Sequence, residues 1–249
     1  MNSRTVTVSL LALVFTSFFP VIAFADTTPT SVSLGGGSVD LIYSATVPLN
    51  QNFTIVVLPD TQGYVKDYPW LFDAQTAWII ENKDVLNIVF VTHLGDLVDR
   101  PQNLTEWENA NTSMSKLDGN VPWAVLLGNH DIFYGDTTNY NTYFGVERFS
   151  GNMWFGGTYK TGDNTNSYQL FSAGGDDYLI FHLQYNPSDD MLFWANNVID
   201  QYPSRRVIVS THDYINGPYD SYKRSDVGEK IWCTLIKQHA DQIFLVLSG

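Results

Sequence analysis

Four short polar clusters carry the residue types that bind cations and move protons. They are Leu58-Pro59-Asp60-Thr61-Gln62, Gly95-Asp96-Leu97-Val98-Asp99, Gly128-Asn129-His130-Asp131 and His212-Asp213. Carboxylates, amide oxygens and imidazoles are the ligands of Zn, Mn and Fe sites. A carboxylate has two oxygens and can bridge two such ions. A bridged pair can activate water and hold a phosphoryl group for in-line attack. Phosphate-ester hydrolysis needs that help, because it is among the slowest uncatalysed reactions in water.

Each cluster follows a stretch that reads as a strand: Phe53–Leu58, Ile88–Leu94, Trp123–Leu127 and Arg206–Thr211. Between the first three lie two segments with helical spacing. Pro69–Asn82 sets Trp70, Ala74, Ala77 and Trp78 on one face, and Thr105–Leu117 sets Trp107, Ala110, Met114 and Leu117 in register. Strand-helix-strand-helix-strand implies a parallel sheet with helical crossovers. In open α/β sheets the loops past the carboxyl ends of strands converge on one crevice, so the four clusters are expected to share one site. Alternation returns later in the chain. Tyr178–Leu183 reads as a strand and Asp189–Tyr202 as a helix, capped by Ser188 and faced by Leu192, Ala195, Val198 and Ile199. Asp226–Ala240 reads as a helix and Ile243–Leu247 as a last strand. Residues 132–176, crowded with Gly, Asn and aromatics, break the rhythm and read as a long surface excursion. Its Tyr134, Tyr140, Tyr143, Phe144, Trp154 and Tyr159 are expected mostly to pack it onto the sheet edge, with one or two reaching substrate.

The order Asp-x-Gln, Gly-Asp-x-x-Asp, Gly-Asn-His-Asp, then Thr-His resembles the calcineurin-like metallophosphoesterase superfamily, in a secreted Pro-Asp-Thr-Gln form. The resemblance implies an α/β fold, a β-sandwich of mostly parallel and mixed sheets flanked by helices. It implies a hydrolase of phosphomonoesters or phosphodiesters that uses two divalent metal ions and a water activated on them. By position, Asp60 and Gln62 would hold the first metal, Asp96 would bridge both, and Asn129 and His212 would hold the second. His130 would face the substrate, steadying the phosphoryl group or protonating the leaving oxygen. Asp131 would orient His130, and Asp99 would support the Asp96 loop. Gln62 stands where the family usually has His; its harder amide oxygen tilts the expected metal towards Mn or Fe over Zn. The family's Gly-His-x-His is absent, since the chain stops at Leu247-Ser248-Gly249, where that motif would begin. The expectation is a chain cut just before its last ligands. The alternative is a catalytically silent surface-binding module on the same fold.

Other residues carry less. His93 and His182 lie within strands and read as structural, while His239 carries no functional weight. Asp213 either supports the site or caps a turn. A net charge of −13 disfavours a nucleic-acid partner, leaving a phosphorylated small molecule or an extracellular phosphoester. Arg4, an apolar run from Val6 to Phe24 and the small-x-small step Ala23-Phe24-Ala25 read as a secretory signal peptide over residues 1–25, with an uncleaved membrane anchor as the alternative. Residues 26–51 read as a linker or short leading strands and 52–249 as the phosphoesterase domain. A secreted or cell-surface location, with no stable membrane span after leader removal, follows. Sequons stand at Asn52, Asn103 and Asn111. The single cysteine, Cys233, excludes an internal disulfide and reads as core.

Overall fold

A computed structural model describes residues 7–10, 52–217 and 223–249. Two sheets stack between two helical layers. The first sheet is all parallel, in the order β1 (Thr7–Leu10), β2 (Thr54–Leu58), β3 (Ile88–His93) and β4 (Trp123–Val125). Helix α1 (Gln62–Asp67) and helix α2 (Pro69–Asn82) connect β2 to β3, and α3 (Leu104–Met114) with a 3-10 turn to Leu117 connects β3 to β4. The expected parallel sheet with helical crossovers is therefore the observed one. The segment 26–51 lies outside the described residues, as do residues 1–25, expected to be a signal peptide, except for Thr7–Leu10, which runs as strand β1. Among the described residues no helix is long and apolar enough to cross a membrane.

The strand sequences place their residues by alternation. Ile55, Phe90 and Ala124 of the first sheet meet Phe171, Tyr178, Ile180 and Ile208 of the second in one inter-sheet core. Val56, Leu58, Val91 and Val125 turn the other way, onto Phe72 and Ile79 of α2 and Trp107, Ala110 and Met114 of α3. Strands buried on both faces need near-continuous apolar runs, and β2 and β3 supply them. The α3 face is the one its spacing predicts. The α2 face is not. Phe72, Gln75, Thr76 and Ile79 are buried, whereas Trp70 is 60% exposed. Apolar residues occur all round α2, so spacing alone could not choose the buried stripe.

The larger correction concerns residues 132–176. They hold α4 (Thr138–Phe144), α5 (Val146–Phe149) and the hairpin β5 (Phe155–Lys160) and β6 (Asp163–Ala173). The second sheet runs β5, β6, β7 (Asp176–Leu183), β8 (Arg206–Thr211) and β9 (Ile243–Ser248). Its first three strands are antiparallel and its last three parallel. Strand β6 escapes a hydrophobicity reading because all its buried residues but Phe171 are polar: Asn164, Thr165, Asn166, Ser167 and Gln169. Most of their polar atoms pair: Asn166 donates to Gln184 at 2.8 Å and Gln169 sits 2.6 Å from His182 Nδ1, while Asn164 Oδ1 is left without a partner. Tyr140 and Phe144, one helical turn apart on α4, are wholly buried and pack the segment onto Trp107.

Helix α6 (Asp189–Gln201) covers the far face of the second sheet with Leu192, Ala195, Val198 and Ile199, and Ser188 accepts the Met191 N–H as its cap. Helix α7 (Asp226–Ile231) does not run on as one α-helix. It widens into a π-turn over Trp232–Ile236 and tightens into a 3-10 turn over Lys237–His239. Cys233 is exposed, not core.

Candidate metal centre

The site is made where strands stop. Strand β2 ends two residues before Asp60, β3 three before Asp96, and β8 delivers His212 as its next residue. Asn129 and His130 follow β4. The turn after β3 is unusual in its backbone: Gly95 has φ 91° and Asp96 has φ 51°. A non-glycine residue there is strained, and such strain persists only where surroundings over-determine it. They do here. A Cβ on Gly95 would lie 2.8 Å from the Gly128 nitrogen, and one on Gly128 would overlap Asp96 itself. The two motif glycines let two ligand loops interlock.

Hydrogen bonds then fix the donors. The His130 N–H donates to Asp96 Oδ1 at 2.8 Å. The Thr61 and Gln62 N–H groups both donate to the Asp96 carbonyl, at 3.1 and 2.9 Å. The His212 Nδ1–H donates to the Leu94 carbonyl at 2.8 Å, turning Nε2 towards Asn129 Oδ1 at 2.9 Å and Asp96 Oδ2 at 3.4 Å. Asp60 Oδ1 lies 3.9 Å from His212 Nδ1. Gly249, at the end of β9, abuts the same atoms: a Cβ there would come 2.6 Å from His212 Nδ1 and 2.9 Å from Asp60 Oδ1. Asp60, Gln62, Asp96, Asn129 and His212 are thus drawn to one strand-end crevice.

A family model for calcineurin-like phosphoesterases matches residues 53–249. The chain belongs to that family. It is 38% identical over 205 residues to the uncharacterized protein YvnB of Bacillus subtilis (strain 168), a match covering 81% of this chain and 15% of YvnB. The chain therefore spans only a small part of that relative's length. Among solved structures, it is similar to a Staphylococcus aureus protein carrying a provisional 5′-nucleotidase assignment (TM-score 0.49, 15% identity, 78% of this chain and 44% of that one). It is also similar to the purple acid phosphatase PPD1 of yellow lupin, Lupinus luteus (TM-score 0.48, 14% identity, 78% and 37%).

Electrostatics set this crevice apart from the rest of the buried polar groups. Burial raises the Asp60 carboxyl above the usual range; His212 opposes that shift and the Asp96 carboxylate adds to it. Burial alone would lower His212, yet the Asp96 carboxylate and the Leu94 carbonyl lift it to about 9. Asp60 Oδ1 and Gln62 Oε1 are buried with no hydrogen-bond partner. Orphaned oxygens next to a buried carboxylate cost free energy unless something positive satisfies them. Among the described residues no three His, Cys, Asp or Glu side chains form a ready-made cation cluster.

Two roles shift. Asp131 does not touch His130. Its carboxylate accepts the Gly128 N–H at 2.8 Å and the Val98 N–H at 3.1 Å, tying two loops together, and burial raises it to about 7. The residue beside His130 is Asp99, whose carbonyl lies 3.2 Å and carboxylate 3.6 Å from His130 Nδ1. Asp99 also holds Lys66 Nζ at 2.7 Å. The sequence reading missed Lys66, Thr61 and Glu106. Glu106, 2% exposed, accepts the Asp99 and Arg100 N–H groups at 2.9 and 2.8 Å. A signal existed: Asn103 caps α3 and Glu106 sits three residues on, the spacing of a capping box. Tyr185, past the end of β7, stands edge-on to His212 at 6.1 Å and was also missed. Of the aromatics in 132–176, Tyr143 stacks on Trp107 while Tyr134 projects, 96% exposed, three residues beyond Asp131.

Proposed function

We propose that this chain hydrolyses phosphate esters with the help of two divalent cations, in a secreted or cell-surface setting. Asp60 and Gln62 would hold one cation, Asn129 and His212 the other, with Asp96 between them. Cations bound there would supply the Lewis acidity that activates water and offsets phosphoryl charge. The observation that carries this reading is the pair of buried, unpartnered oxygens, Asp60 Oδ1 and Gln62 Oε1, on the turn hydrogen-bonded to the Asp96 carbonyl. A module built only to bind a surface partner gains nothing from that cost.

The chain's own groups have separable tasks. His130 is 40% exposed, and its backbone N–H is spent on Asp96. With Nδ1–H donated to the Asp99 carbonyl, the doubly protonated ring would present its Nε2–H to a phosphoryl oxygen or pass that proton to the leaving oxygen. Tyr185, edge-on to His212, is a candidate contact for the rest of the ester. A small phosphorylated molecule or an exposed phosphoester fits the acidic chain better than nucleic acid. Strand β9 runs up to Asp60 and His212, so a family-type His-x-His carried past Gly249 would enter the centre.

The test is release of nitrophenol from mono- and bis-nitrophenyl phosphate with added Mn. Turnover that vanishes in Asp96→Asn supports the proposal, and turnover equal to wild type in that variant overturns it.

A further inference from the structure

We propose that His93 is a positioning residue that acts through Thr61 to hold Asp60 and Gln62 against Asp96, and so sets cation affinity at that end of the centre. The inference rests on the metal reading above. His93 closes β3 and is wholly buried, its ring 5.8 Å from Phe72. It touches none of the five proposed ligands.

Its hydrogen bonds run in one direction. The Gly95 N–H donates to His93 Nδ1 at 3.2 Å. That nitrogen therefore carries no proton, and Nε2 carries one. Nε2 lies 3.1 Å from Thr61 Oγ1 and donates to it. The Thr61 hydroxyl is then free to donate onward to the Leu97 carbonyl at 3.2 Å. Each hydrogen is used once and no group is left in conflict. Burial keeps the imidazole neutral by pulling it down to about 3, which the Nδ1 acceptor role requires.

Thr61 lies between Asp60 and Gln62, the two residues with unpartnered buried oxygens. It is itself wholly buried, and its N–H and that of Gln62 share the Asp96 carbonyl. The side-chain chain and the backbone pair thus stitch one ligand loop to the other from both sides. A histidine kept only for packing would need neither the proton direction nor the threonine. Residues that orient ligands typically change metal affinity on the order of 10–100-fold when removed.

The experiment is calorimetric titration of the full chain with Mn, read beside thermal melting. Thr61→Val keeps the side-chain shape and removes the hydroxyl, whereas Thr61→Ser keeps the hydroxyl. Thr61→Val is expected to weaken one class of site on the order of 10–100-fold and spare the other, with Thr61→Ser close to wild type. His93→Gln added to Thr61→Val should cost little more than either change alone, because both cut one chain. Wild-type Mn affinity in Thr61→Val with a lowered melting temperature would make the network structural only and overturn the inference, as would fully additive losses. If the wild-type chain binds no Mn, the metal reading itself fails and this inference falls with it.

Discussion

Two buried polar clusters lie a residue apart along β3, and they are finished differently. Thr92 points into the seam between the sheets. Its Oγ1 is 2.8 Å from His182 Nε2 and 3.4 Å from Ser210 Oγ, and His182 Nδ1 reaches Gln169, which in turn donates to Ser167 at 3.0 Å. Every side chain in that seam has a partner. One residue on, His93 leads into the strand-end cluster, where Asp60 Oδ1 and Gln62 Oε1 have none. Buried networks that close on themselves specify a fold, and those left open are costly unless a ligand completes them. The histidines report the same contrast. Burial holds His182 near 3, with no carboxylate beside it, while Asp96 and Asp60 help hold His212 near 9. The seam is finished by the protein; the site is poised for something else.

The contrast predicts that function and stability separate. Asp96→Asn should lower Mn-dependent turnover by at least about 10³-fold. Its melting temperature should fall only modestly, because Asn still accepts the His130 N–H and relieved repulsion with Asp60 offsets part of the lost attraction between Asp96 and His212. A large loss of stability with activity retained would reverse the assignment of the two clusters.

His182→Leu is the opposite probe. It should cost about 1–3 kcal/mol in denaturant unfolding, because Gln169 and Thr92 lose a buried partner, and should leave Mn affinity unchanged. The same variant tests pH dependence. Burial depresses the folded pKa of both His93 and His182 to about 3, from 6.5 in the unfolded chain. Below pH 6.5 the unfolded state takes up protons that the folded state refuses. Stability is therefore complete above pH 6.5 and falls as pH drops towards 3, by up to about 1.4 kcal/mol per pH unit for each histidine. His182→Leu removes one of the two and should halve that part of the slope. An unchanged slope would mean that His182 does not refuse the proton.

How legible each cluster was in the sequence follows from the same physics. Asp60, Asp96, Asn129 and His212 could be read because strand ends in an α/β sheet collect side chains predictably. The parallel sheet could be read because apolar strands and amphipathic α3 announce themselves. The seam could not. Its polar residues on β6 hide a strand behind Asn164, Asn166 and Gln169, whose partners come from other elements: Phe144 on α4, Gln184 just past β7 and His182 on β7. Partnership across an antiparallel pair leaves no local periodic trace. Asp131 and Asp99 were exchanged for a similar reason: which carboxylate reaches His130 depends on the interlock of Gly95 with Gly128, not on sequence neighbourhood.

Cys233 lies outside both clusters and sets the baseline. Its apolar neighbours Ile231, Trp232 and Leu235 read as core, but Ile231 and Leu235, four residues apart, share the buried face and leave the residue midway between them on the opposite, exposed side. The Sγ instead sits 3.6 Å from Glu229 Oε1, and the Arg224 guanidinium lies 4.6 Å over Trp232 beside it. Replacing an exposed, solvated thiol by a hydroxyl removes no packing. Cys233→Ser should therefore change unfolding free energy by less than about 0.5 kcal/mol, against the 1–3 kcal/mol expected for burying an unpaired hydroxyl. The native wild-type thiol should also react at once with a thiol reagent, without denaturant. A slow reaction or a large destabilisation would place Cys233 in the core after all.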